Sequence, residues 1–215
     1  MGILFKYFSV SLLFMLAGFL IGLFFIPVEV IAFANKIMTV AVIGLLIFTL
    51  IMKGKRKSGL PRFSMSWVYG FAALEGSLLY PTLMYYLASL GVVLFLNIIL
   101  GTLAIFAILS YIASKQPAGT YVKLGKILFI ALAVLIIMSV INIFLHVEVL
   151  SLLLSIAGII IFSAYILFDV NQFKAAYEMG LIKDKDDYSI FVLNIYLDFI
   201  NLLLDILDFV NRIKD

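Results

Sequence analysis

The chain has no cysteine, one histidine, one tryptophan and four prolines among 215 residues, and only 13% of it is charged. Without cysteine there are no disulfides, no thiolate nucleophiles and no cysteine-held metals. The single histidine, His146, falls in a short break beside Glu148. It is expected to be solvated there, whereas a Ser/His catalytic pair would need it inside a buried segment. The shortage of charge is the most restrictive of these absences. A globular domain is ordinarily about 25% charged and under half apolar, but this chain is 66% apolar. It cannot build a wet surface, so a soluble domain is excluded and lipid must be its main solvent. The net charge of +3, from 15 basic and 12 acidic residues, says little until it is mapped onto loops, and no nucleic-acid partner is expected.

What the chain does have is apolar length. A helix needs about 20 apolar residues to cross a bilayer, and seven segments qualify: 3–26, 28–52, 64–88, 90–113, 124–145, 149–173 and 188–212. Short breaks separate them, among them Pro27 with Glu29, the basic run Lys53 to Lys57, Lys115 to Gly119, and the charged stretch Lys174 to Asp187. Transmembrane strands would alternate in polarity over about ten residues, and these runs are uniformly apolar. The first segment exceeds the apolar region of a signal peptide and is read as a retained span. The expectation is an all-α membrane protein: one domain over 1–215, a seven-helix transmembrane bundle.

Lys and Arg in the loops orient such a bundle. With seven spans, 12 of the 15 basic residues fall on one side, in the N-terminus and loops 2–3, 4–5 and 6–7. The expectation is a multi-pass cell-membrane protein with a cytoplasmic N-terminus.

Ionised groups inside spans are costly and mark functional positions. Five acids fall there: Glu75, Asp169, Asp198, Asp205 and Asp208; Lys36 is the one basic residue well inside a span. This imbalance favours cations, because an anion path would present Arg or Lys. In the seventh segment Asn194, Asp198, Asn201, Asp205 and Asp208 are spaced 4, 3, 4 and 3, which puts all five on one helical face. That face belongs at the bundle interior, and these residues form a candidate ion pathway. Asp169 lies near the end of the sixth segment, at a depth within about 7 Å of Asp198 at 1.5 Å rise per residue, so the two carboxyls are placed to meet. In a low dielectric both cannot ionise cheaply, so such a pair shares a proton. It is a pH sensor, and also a site for a hard divalent cation such as calcium once both protons leave. Glu75, at similar depth, is either a second cation ligand or a neutral acid bonded to a neighbouring helix. Lys36 either pairs with Asp205 or Asp208 or reaches for the interface. The acidic run Asp184, Asp186, Asp187 lacks the glycine and terminal glutamate of an EF-hand loop and is expected to be a solvated turn.

Two phrases, Ser163-Ala164-Tyr165-Ile166-Leu167-Phe168-Asp169-Val170-Asn171-Gln172 and Tyr196-Leu197-Asp198-Phe199-Ile200-Asn201-Leu202, resemble the sixth- and seventh-helix signatures of the transmembrane Bax inhibitor motif family. Glu75-Gly76-Ser77-Leu78-Leu79-Tyr80-Pro81 is similar to its third-helix stretch. The resemblance implies a bundle with a central seventh helix and, as in the bacterial YetJ-type members, a pH-sensitive calcium leak with Asp169 and Asp198 as the di-aspartyl sensor. Such members carry an Arg at the end of the second helix that pairs with the sixth-helix Asp. This chain reads Met52-Lys53-Gly54-Lys55-Arg56 instead, which makes Lys53 or Arg56 the candidate counter-ion.

The same acids suit a proton-coupled cation exchanger, which needs two alternating conformations. An intramembrane aspartyl protease also uses one Asp on each of two helices, but Ile195-Tyr196-Leu197-Asp198 lacks the glycines of that motif. The expectation is a channel rather than an enzyme, working on calcium and protons with no further cofactor. The charge map yields one test: a reporter fused after Lys57 should be cytoplasmic and one after Asp215 external. A cytoplasmic C-terminal reporter would replace the seventh span by a re-entrant segment.

Overall fold

A computed structural model of the chain describes residues 1–27 and 63–214. The second predicted segment, 28–52, lies outside the described residues, as do Lys36, Lys53 and Arg56. The described residues form six α-helices and one short 3-10 turn, with no strand among them: α1 (Gly2–Phe25), α2 (Met65–Leu90), α3 (Val92–Lys115), α4 (Leu124–Leu145), α5 (Glu148–Glu178), the 3-10 turn Lys185–Tyr188, and α6 (Ser189–Lys214). The predicted sixth and seventh segments are thus α5 and α6. Among the described residues, five stretches are long and apolar enough to cross a membrane: α1, α3, α4, α5 and the run Lys185–Lys214. At 26 residues, α2 has the length, but Glu75 and its tyrosines, serines and glycines dilute its apolar character.

Two boundaries differ from the hydropathy reading. The sixth segment was expected to end at 173, but α5 continues for 31 residues to Glu178. Hydropathy falls at the first charge, whereas Lys174 stays helical because its ammonium finds backbone carbonyls to bond. The acidic turn is also more than a solvated loop. Asp184 caps the 3-10 turn in a reciprocal capping box with Asp187, and Asp186 Oδ1 accepts from the Met65 N–H at 2.9 Å. Met65 opens α2, where the first N–H groups of a helix have no partner within it, so the acid is used as a cap from 121 residues away in sequence.

The chain divides into two compact units: Gly2–Tyr85 with Gly180–Leu193, and Tyr86–Met179 with Asn194–Asp215, to which Met1 also belongs. In the first unit α1 and the start of α2 approach by backbone. A side chain at Gly18 would meet the Ala73 carbonyl oxygen at 1.8 Å, and one at Gly76 would meet that of Met15 at 2.0 Å. In lipid there is no hydrophobic drive to pair helices, so small residues that let backbones touch do that work. Pro81 cannot donate to the Ser77 carbonyl one turn earlier, and this oxygen faces Gly22, where a Cβ would lie 2.7 Å away. Tyr80 then closes the end of α1 by donating its hydroxyl to the Ile26 carbonyl at 2.9 Å. The α2 start is held in addition by Ser189 Oγ, which accepts from the Phe63 N–H, and by Lys185 over the Tyr69 ring.

In the second unit α5 packs on both α3 and α4. The α4–α5 turn is tied by Asn142, which donates to Ser151 Oγ at 2.6 Å and accepts from the Val147 N–H. His146, exposed as expected, turns the chain there in the left-handed conformation at φ 52°. Replacing Asp186 by Ala removes one helix cap and should lower stability by about 1 kcal/mol, read as a fall in thermal midpoint in detergent; an unchanged midpoint would show that the cap carries no weight.

Candidate functional site

Asp169, near the end of α5, and Asp198, in the second turn-pair of α6, are 6% and 5% exposed, and their carboxyls are close enough to interact. Two carboxyls so placed in a low dielectric do not both ionise cheaply. Asn194 Nδ2 donates to Asp169 Oδ1 at 3.3 Å, one turn before Asp198 on α6. Tyr165, one turn before Asp169 on α5, lies within electrostatic reach of both carboxyls. Asp198 Oδ2 is sealed from solvent.

The pair belongs to a longer seam. Gly158 on α5 faces Asp205 on α6 so closely that a Cβ at 158 would lie 2.1 Å from Asp205 Oδ2. The Asn194–Asp169 contact and the Gly158–Asp205 contact are separated by eleven residues on each helix, 158 to 169 and 194 to 205. Eleven residues make three turns of an α-helix, so both contacts lie on one face of each helix and the helices run antiparallel in constant register. Tyr165, on the same face of α5, falls between the two contacts and interacts with Asp198. Of the five apolar stretches, the one containing α6 is 56% buried, against 11–28% for the others, which fits its reading as the enclosed, central helix.

The remaining predicted residues divide. Asn201 turns its amide onto the Leu197 carbonyl of its own helix at 2.8 Å. Asp208 is engaged by Arg212 Nε at 2.7 Å and by the Tyr86 hydroxyl at 3.2 Å, and beside it Ser89 donates to Asn211 Oδ1 while Lys214 donates to the Ser89 carbonyl. This end of α6 is fastened to the end of α2. Glu75 lies half-buried in the other unit, on the helix that Gly76 packs against α1. The candidate counter-ions Lys53 and Arg56 lie outside the described residues.

Sequence reasoning quoted Asn171 without giving it a role. Its side chain, 1% exposed, donates to the Ala113 and Pro117 carbonyls at 3.3 and 2.9 Å, and Lys174 Nζ donates to those of Ser114 and Gln116 at 3.0 and 2.8 Å. The last carbonyls of a helix lack partners within it and favour a cation. Asn171 and Lys174 together supply the C-terminal cap of α3, and so brace the part of α5 that carries Asp169. The signal was an amide and a lysine three residues apart on one helix, but nothing in the sequence says which helix end they face.

Residues 3–215 match the family described as Inhibitor of apoptosis-promoting Bax1. The chain belongs to this family. Among its relatives is an uncharacterized protein of Helicobacter pylori (strain ATCC 700392 / 26695), 30% identical over 212 residues that cover 98% of this chain and 85% of the relative. An uncharacterized membrane protein of Streptococcus pyogenes serotype M3 is 29% identical over 66% of this chain and 60% of its own length. A Golgi anti-apoptotic protein of Vaccinia virus (strain Lister) is 32% identical over 50% of this chain and 42% of its own. With its apolar helices, this makes the chain a multi-pass membrane protein of the Bax inhibitor family.

Because the buried Ala113 carbonyl, four residues before a proline that cannot donate to it, is held by Asn171, replacing Asn171 by Ala should cost about 2 kcal/mol, seen as a lower thermal midpoint in detergent. A midpoint equal to the parent's would remove the brace.

Proposed function

We propose that the protein is a pH-sensitive calcium leak channel of the cell membrane, with its N-terminus cytoplasmic, gated by the proton held between Asp169 and Asp198. The observation that carries this reading is the burial of two carboxyls beside one another on adjacent helices, an arrangement that favours a proton shared between them. At low pH the proton joins α5 to α6. As pH rises the proton leaves, two negative charges face each other in a low dielectric, and their repulsion separates the helices. The same loss exposes carboxylate oxygens, the ligands calcium prefers, so calcium competes with protons for the pair. Calcium takes six to eight oxygens, of which a pair supplies only part, and water completes the shell. That is the weak, exchangeable binding conduction needs. Among the described residues, Tyr165 on α5 and Asn194 on α6 face the pair.

Calcium entry into dye-loaded proteoliposomes, followed against pH, tests this reading. Parent flux should rise with pH and run down the calcium gradient without counter-transport. Asp169→Asn should flatten the response because one carboxyl alone has no coupled partner, while Asp169→Glu should only displace its midpoint. A curve for folded, monodisperse Asp169→Asn that superimposes on the parent's would sink the sensor, and flux that requires an opposing proton gradient would make the protein an exchanger.

A further inference from the structure

Asp205 was read from sequence as part of an ion pathway, yet its surroundings give it a different task. Its Oδ2 is sealed from solvent and has no hydrogen-bond partner among the described residues. Asn201, one turn before it, donates to the Leu197 carbonyl, and Arg212 and Tyr86 are bonded to Asp208. What receives the Asp205 carboxyl is a notch. A Cβ at Gly158 would lie 2.1 Å from Oδ2, 2.5 Å from Cγ and 2.9 Å from Oδ1, so the whole carboxyl occupies the space that any other residue at 158 would fill.

A second contact on the same faces of two stiff helices has a mechanical meaning. The Gly158–Asp205 contact stands eleven residues, about 16 Å along the axis, from the Asn194–Asp169 contact. One contact alone lets α5 and α6 pivot or slide; two so far apart fix both slide and splay. A slip of one residue at the notch, about 1.5 Å, would carry Asp169 by the same distance past Asp198, enough to break a hydrogen bond.

We propose that Gly158 and Asp205 are a positioning pair that sets the register of α5 on α6 and thereby brings Asp169 and Asp198 together. The inference deepens the sensor reading above and rests on it for the effect on flux, but its geometric part stands independently. It also gives the distal half of the seam a regulatory use: anything that draws Asp205 out of its notch loosens the proton-sharing pair three turns away.

The absence of cysteine makes a direct measurement simple, since Ile160→Cys on α5 and Ile213→Cys on α6, both exposed, can carry the only two spin labels in the full-length protein. Gly158→Ala should shift the label-to-label distance by about 1.5 Å or more and move the pH midpoint of calcium flux. Adding Asp205→Ala, which clears the collision, should return both towards the parent. If Gly158→Ala folds poorly, Asp205→Leu, too large for the notch, should reproduce the shift, and Asp205→Asn, of the same shape, should keep the parent's distance. Parent-like distances in Gly158→Ala, or a shift that Asp205→Ala leaves in place, overturn the positioning pair. Distances that shift and recover as expected while the pH profile never moves leave the register standing and overturn the sensor reading instead.

Discussion

The antiparallel register of α5 on α6 is the constraint on which the rest depends. In lipid, apolar side chains gain little by leaving one apolar surrounding for another, so helix pairs are specified by close packing and by polar groups that must find partners. The seam uses both devices. Towards one end an amide of α6 donates to a carboxyl of α5, and three turns away a glycine admits a carboxyl that no other residue would accommodate. A seam of leucines would tolerate a slip of one turn with small loss, whereas here each residue of the stripe has one place to go.

The other unit pairs its helices by a different chemistry. Between α1 and α2 the glycines at 18, 22 and 76 bring carbonyl oxygens against Cα atoms, and Tyr80 on the Ile26 carbonyl adds a side-chain bond at one end. Backbone contact of this kind involves no titrating group, while the α5–α6 seam includes the carboxyls of Asp169, Asp198 and Asp205.

Much of this was legible in the sequence because polar residues are conspicuous against a uniformly apolar background. The 4, 3, 4, 3 stripe of α6 and the depth of Asp169 were enough to bring the two carboxyls together, and the segment limits fall within a few residues of the observed helices. Gly158 was not legible, because a glycine in an apolar run carries no periodic signal and its meaning comes wholly from the residue across the seam. Asn171, Lys174 and Asp186 were hidden for a related reason. Each bonds backbone groups of a distant helix end, and every helix end offers the same unpaired groups. The extent of α5 was missed because hydropathy reports where lipid would stop being a good solvent, and α5 continues beyond that point.

The cap that Asn171 and Lys174 place on α3 decides which parts are free to travel. Four carbonyls at the end of α3 are held by two side chains of α5, one of them two residues from Asp169, so these two helices form a single stator there. Any displacement of α5 from α3 at this level would have to break all four, so the stretch of α5 that carries Asp169 is held by a helix end that belongs to neither side of the α5–α6 seam.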